Sequence, residues 1–175
     1  VMVFDPSYKS IEPGMFEKLD WPHCGYRDWK EEFPKDMPKS RGLGFIVTGF
    51  VDSDHAGDSV TRRSRTGFFV YCSNALVYWM SKKQTAIEAS TFGPELNAMK
   101  ACAEHIRGLK HKLRMMGIEC GSEGSSSPAF VYGDNQSVLC NTTMPSSQLK
   151  KKSNYIAYHF VREGCARDEW RTGYT

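Results

Sequence analysis

Three carboxylates in this sequence stand where a polar side chain has little structural reason to be. Asp52 closes the apolar run that begins at Leu43, Glu95 opens a long amphipathic stretch, and Asp134 directly follows Ala129-Phe-Val-Tyr-Gly133. Acids brought together repel one another, and their pKa values rise unless a cation compensates. Hard divalent cations with oxygen ligands, Mg²⁺ or Mn²⁺, suit such a set. Two such ions, roughly 3.5 to 4 Å apart, activate a water and stabilise the leaving oxygen in phosphodiester cleavage. Acids at strand ends are also common as solvated loop residues, so the spacing alone leaves both readings open.

For these acids to meet, the elements that carry them must end at one edge. Leu43 to Asp52 is rich in β-branched and aromatic residues and reads as a buried strand. Thr66-Gly-Phe-Phe-Val-Tyr-Cys72 and Ala75-Leu-Val-Tyr-Trp-Met80, separated by Ser73-Asn74, read as a hairpin, which makes three antiparallel strands. Leu96, Met99, Ala103, Ile106, Leu109, Leu113 and Met116 recur at spacings of three and four and predict one apolar stripe on a long helix. Ser90 or Thr91 suits its cap and Pro94 its first turn. Lys110, Lys112 and Arg114 suit the negative pole of its dipole, and Gly117 its end.

A Gly/Ser loop, residues 121–127, leads to a strand over Ala129–Gly133 and a short helix from Asn135 to about Met144, stopped by Pro145. A further helix is expected from Ser153 to about Arg167, weakened by Gly164, and a last strand from Glu169 to Thr175. The order β-β-β-α-β-α-α-β predicts a mixed α/β fold. A helix between the third and fourth strands permits the fourth to run parallel to the first. Asp52 and Asp134 then lie side by side at the carboxyl ends of their strands, where open α/β sheets place ligands, and the helix start brings in Glu95.

With 175 residues, 40% apolar and 25% charged, the chain is long enough for one buried core plus an extension. A net charge of +3 is compatible with a nucleic-acid partner and with an ordinary surface alike. The six cysteines form no C-x-x-C pair and no clustered Cys/His set, against a zinc site. No secretory signal is visible, so reduced thiols inside the cell are expected, and no apolar run approaches the ~20 residues of a membrane helix. Residues 1–42 are broken by five prolines yet carry many aromatics, which predicts an ordered arm across a domain of residues 43–175; a disordered tail is the alternative. Val1 and Thr175 both read as cuts in a longer polypeptide.

Other polar residues have two readings each. Asp54 shares a strand face with Asp52 and suits either a metal's water shell or a solvated turn, as does Asp58 nearby. Asn135 and Ser137, at a helix start, suit a phosphate or an RNA 2′-hydroxyl, or a plain N-cap. Lys82, Lys83 and Gln84, the run Lys150, Lys151 and Lys152, and Arg62, Arg63 and Arg65 form either a phosphate-tracking surface or a solvated face. His159 fits a packed structural histidine, and Trp79 and Trp170 fit core or platform positions. No nucleophile–base pair for covalent catalysis is present.

Several blocks, in order, carry a resemblance: Val51-Asp-Ser-Asp-His-Ala-Gly-Asp58, Arg63-Ser-Arg-Thr-Gly67, Trp79-Met-Ser-Lys-Lys-Gln84, Ser90-Thr-Phe-Gly-Pro-Glu-Leu-Asn-Ala98, Tyr132-Gly-Asp-Asn-Gln-Ser137, Leu149-Lys-Lys-Lys-Ser-Asn and Tyr158-His-Phe-Val-Arg-Glu163. They resemble the ribonuclease H domain of copia-type retrotransposon reverse transcriptases. Val3-Phe-Asp-Pro-Ser-Tyr8 in the arm resembles the segment that precedes that domain. The resemblance implies a ribonuclease H-like fold, a five-stranded mixed sheet flanked by helices. It also implies that Asp52, Glu95 and Asp134 bind two Mg²⁺ or Mn²⁺ ions and hydrolyse the RNA strand of an RNA–DNA hybrid, leaving a 3′-hydroxyl and a 5′-phosphate.

The implied partners are the hybrid and the reverse transcriptase domain of the same polyprotein, with no membrane. The implied setting is intracellular: cytoplasm, retrotransposon particle or nucleus. One departure stands out. The family's fourth acid lies in an A-D-x-x-T-K block on a last helix, and that block is not found before Thr175; Asp168 and Glu169 lie outside the motif. That departure favours a second reading, a non-catalytic ribonuclease H-like remnant serving as a structural or nucleic-acid-binding module. A transposase or integrase of the same general fold is a third, which the ordered blocks disfavour.

Overall fold

The computed structural model describes residues 30–122, 125–149 and 152–175, with Trp21 and Tyr26. Strands β1 (Val47–Asp54), β2 (Arg65–Cys72) and β3 (Ala75–Lys83) precede helix α1 (Phe92–Met115). A short pair, β4 (Gly121–Ser122) and β5 (Ser125–Ser126), interrupts the stretch expected to be a loop. Then follow β6 (Ala129–Gly133), α2 (Gln136–Thr143), a 3₁₀ turn over Lys152–Asn154, α3 (Tyr155–Ala166) and β7 (Trp170–Tyr174). The main sheet has five strands in the order β3-β2-β1-β6-β7. Neighbours β1–β2 and β2–β3 are antiparallel, whereas β1–β6 and β6–β7 are parallel, as the strand order predicted.

Alternation along β1 decides what faces what. Val47, Gly49, Val51 and Ser53 are buried on the side of α1, while Asp52 and Asp54 are exposed on the other. Leu96, Met99, Ala103 and Ile106 of α1 are buried in the core, as the stripe predicted. Gly49 makes the approach close: a Cβ there would lie 2.6 Å from Cys102 Sγ and 3.0 Å from Ile106 Cδ1. This close approach of α1 to β1 fixes how far the first turn of the helix stands from the end of the strand.

Several sequence expectations need correction. The first strand begins at Val47 rather than Leu43: Gly44 has φ 73°, Leu43 is exposed, and Phe45 makes only an isolated bridge to Cys120. Met116 leaves the apolar stripe and is 64% exposed, because the helix has already ended at Met115. Thr91 holds the N-cap position of α1 without a side-chain hydrogen bond. Trp170 is fully buried, but Trp79 lies on the sheet face away from α1 and is 66% exposed, so it is no core residue. Gly164 is a packing requirement within α3, since a Cβ there would sit 1.9 Å from the Trp170 ring.

Lys110 and Arg114 are buried rather than solvated at the helix end. Glu31, which precedes the first strand, accepts from both: Arg114 Nη1 and Nη2 at 2.7 and 2.9 Å, and Lys110 Nζ at 2.9 Å. Phe33 lies under the Arg114 guanidinium, 4.5 Å from ring centre to Cζ. The Arg41 amide donates to the Gly117 carbonyl at 2.8 Å. Trp21 and Tyr26 join the hydrophobic core, and the Tyr26 hydroxyl bonds His159 Nδ1, which makes that histidine a packed one.

Candidate metal centre

Parallel pairing of β1 with β6 sets two of the three acids. The register aligns Thr48 with Phe130, Gly49 with Val131 and Phe50 with Tyr132, and the rings of the last pair stack at 5.2 Å. Two residues further along each chain stand Asp52 and Asp134, side by side at the carboxyl edge. Glu95 reaches the same edge from the first turn of α1. One carboxylate oxygen from each of Asp52, Glu95 and Asp134 lies within 4.8 Å of the other two.

The three acids differ in setting. Asp52 and Asp134 are exposed, whereas Glu95 is 8% exposed. Burial, then the charge of Asp134, then that of Asp52 push the Glu95 pKa up to about 7, against a smaller opposing effect of the Ser53 amide. The same amide donates to Asp52 Oδ1 at 2.7 Å. A divalent cation with oxygen ligands fits this donor set: three convergent carboxylates, no nitrogen or sulfur among them, and electrostatic stress that a positive charge relieves.

Around this centre the remaining candidates separate. Asp54 is exposed and paired across the sheet with Arg65, outside the group of three. Asp58 organises the β1–β2 loop: its Oδ1 accepts from the amides of Val60 and Thr61, its Oδ2 pairs with Lys83, and these bonds hold its carboxyl well below the usual range. Lys83 is therefore held by Asp58. Lys82, Arg62, Arg63 and Arg65 are exposed. The β-ladder sets Arg65 opposite Asp54 and Lys83, and Thr66 opposite Ser53 and Lys82, so these cations share the acids' edge.

Asn135 is the N-cap of α2, its Oδ1 accepting from the Val138 amide at 3.1 Å, and Ser137 is exposed in the first turn. Lys152 is exposed; Lys150 and Lys151 lie outside the described residues. Gln84 is half-buried and turns its amide nitrogen inward, to Thr66 Oγ1 at 2.9 Å and the Pro94 carbonyl at 3.0 Å. Asp168 and Glu169, given no catalytic role from sequence, pair instead with Arg171 and Arg107. Sequence reading missed Arg162, whose buried guanidinium donates to the carbonyls of Asn141, Met144 and Pro145 and so closes the C-terminal end of α2. It stands in the Tyr158–Glu163 block, but its role is not readable there, because its acceptors are 17 to 21 residues away.

Known proteins share part of this sequence and the fold that carries the site. The Pol polyprotein from transposon TNT 1-94 of Nicotiana tabacum is 29% identical over 118 residues, 67% of this chain and 8% of that protein. The Pol polyprotein from transposon RE2 of Arabidopsis thaliana is 26% identical over 122 residues, 70% of this chain and again 8% of the relative. Among solved structures, RNase H1 from Halobacterium salinarum NRC-1 superimposes with TM-score 0.53 at 14% identity, over 74% of this chain and 85% of that one. The chain has a ribonuclease H-like fold and is similar in sequence to retrotransposon Pol polyproteins. LC11-RNase H1, solved in complex with an RNA/DNA hybrid, matches this ribonuclease H-like domain with TM-score 0.52 at 8% identity, over 74% of it and 83% of the neighbour. No family model matches the sequence. Among the described residues no helix is long and apolar enough to cross a membrane.

Proposed function

We propose that this domain hydrolyses the RNA strand of RNA–DNA hybrids, with Asp52, Glu95 and Asp134 holding two Mg²⁺ or Mn²⁺ ions. The observation that carries the reading is the convergence of three carboxylate oxygens within 4.8 Å at the carboxyl edge of two parallel strands. When bound, such cations supply a water activated for attack on phosphorus and stabilisation of the leaving oxygen. The chain's own part is positioning. Asp52 and Asp134 present oxygens to solvent from rigid strand ends, and buried Glu95 offers a carboxylate that gives up its proton in favour of a cation.

Arg63, Arg65 and Lys82, on the same edge, are suited to the phosphates of a duplex that crosses the acids. Lys150, Lys151 and Lys152 extend that role in this reading, with Lys83 contributing less because Asp58 holds it. Ser137, exposed at the start of α2, is suited to a 2′-hydroxyl or a phosphate. The hybrid found with LC11-RNase H1 supports the choice of substrate. Residues 1–42 act as an arm to the domain of residues 43–175, and a reverse transcriptase domain of the same polyprotein is the proposed neighbour. The proposed setting is inside the cell, where such hybrids are made.

The test is cleavage of a labelled RNA–DNA hybrid by the purified chain in Mg²⁺ or Mn²⁺, beside Asp52→Asn. Cation-dependent cleavage that the substitution abolishes is the expected result. Cleavage that survives both EDTA and Asp52→Asn contradicts it.

A further inference from the structure

We infer that Gln84 is a positioning residue for Glu95, acting through the peptide bond that precedes it. The inference rests on the proposed role of the three acids. From sequence, Gln84 stands in a Lys-Lys-Gln run and reads as a nucleic-acid contact. In the fold its backbone amide is bound by the Ser64 carbonyl at 2.8 Å, just past the end of β3, and its side chain faces inward.

Gln84 Nε2 donates to the carbonyl of Pro94, at 3.0 Å, and to Thr66 Oγ1, at 2.9 Å. A carbonyl only accepts, so the nitrogen end of the amide must face Pro94. The Pro94 carbonyl and the Glu95 amide form one planar unit, which makes this bond a direct restraint on the Glu95 backbone. Thr66 is buried on β2, directly opposite Ser53, the residue after Asp52. A single side chain thus links the start of α1 to the strand pair that carries Asp52.

The link adds to the packing of this turn, in which Pro94, Glu95 and Leu96 are buried, because no side chain caps the start of α1. Its cap residue Thr91 makes no side-chain hydrogen bond, and the Glu95 amide reaches the Thr91 carbonyl at 3.2 Å. Bringing a third carboxylate against two others works against their repulsion. A restraint on the helix start opposes the outward drift that this repulsion favours. A glutamate in place of Gln84 would set a carboxylate against the Pro94 carbonyl, so the donor is the part of the side chain that counts.

The test titrates Mn²⁺ into the purified chain, with free Mn²⁺ read by electron paramagnetic resonance. Wild type, Gln84→Met, Thr66→Val, Thr66→Ser and Asp52→Asn are compared well below their melting temperatures. Hybrid affinity is measured in parallel, in EDTA, as a function of salt. Removing partners that orient a metal's ligands typically weakens metal affinity by about 10- to 100-fold. Gln84→Met is expected to weaken Mn²⁺ binding by about tenfold with its metal-free hybrid affinity and salt slope unchanged; Thr66→Val weakens Mn²⁺ binding less, and Thr66→Ser restores it.

Unchanged Mn²⁺ affinity in Gln84→Met overturns the inference, as does a loss confined to hybrid affinity. Should Gln84→Met fail to fold, unchanged Mn²⁺ affinity in Thr66→Val overturns it equally. Asp52→Asn separates the two levels. If it binds Mn²⁺ like wild type, the metal reading itself is wrong; if it loses Mn²⁺ while Gln84→Met does not, only the role of Gln84 fails.

Discussion

Glu31 accepts from both guanidinium Nη atoms of Arg114, at 2.7 and 2.9 Å, and so ties its own stretch of chain to the C-terminal end of α1. The same carboxylate also faces Lys110, and both cations are buried. Removing one partner of a buried pair leaves uncompensated charge and costs about 3–5 kcal/mol. Glu31→Ala is therefore expected to lower unfolding stability by about that amount, read from urea or guanidinium melts. A change below about 0.5 kcal/mol would show that water already screens these cations.

The raised pKa of Glu95 makes the metal-free fold pH-sensitive. With a folded-state value of about 7 against an ordinary 4.5, the native chain holds a proton that the unfolded chain has released between those values. Stability from this group is therefore full below about pH 4.5 and declines as pH rises through about 7. Melts in EDTA at pH 5.5 and 8 should reveal that decline, and Glu95→Gln should remove it. Mn²⁺ at pH 8 should stabilise wild type by binding the native state alone. A Glu95→Gln variant with the same pH slope as wild type would contradict the assignment.

Much of this was legible in local sequence. The β-branched and aromatic content of the first strand, although read from Leu43 rather than Val47, and the three-and-four spacing of Leu96, Met99, Ala103 and Ile106 are signals that a short window contains. One helix joining strands three and four permitted the parallel pairing that sets Asp52 beside Asp134, while the register itself came only from the fold. The pairing of Glu31 with Lys110 and Arg114 was not legible, because the partners lie 79 and 83 residues away. Trp79 was left between core and platform because hydrophobic character does not say which sheet face is covered; its 66% exposure excludes the core. Gln84 misled because its basic neighbours suggested solvent, whereas its acceptors belong to β2 and α1. Gly164 looked like a helix weakener, and its reason is the Trp170 ring that only the fold brings against it.

Salt dependence should separate exposed cations from the paired one. Removing a side chain that neutralises one phosphate reduces the slope of log affinity against log salt by about 1. Arg63→Ala and Lys82→Ala are each expected to flatten the slope for hybrid binding in EDTA by about that amount. Lys83→Ala should change it by less, because Asp58 already holds that ammonium. Fluorescence anisotropy across a salt series gives the slopes. Equal slopes in all variants would mean that this edge does not meet phosphates.

Anomalous diffraction from Mn²⁺-soaked crystals is the sharpest check on the metal centre, because it locates the cation without reference to activity. The expected result is an anomalous peak bounded by the carboxylates of Asp52, Glu95 and Asp134, absent from crystals of Asp52→Asn. Well-ordered Mn²⁺ bound elsewhere, with these three carboxylates free of any peak at saturating Mn²⁺, would contradict the assignment.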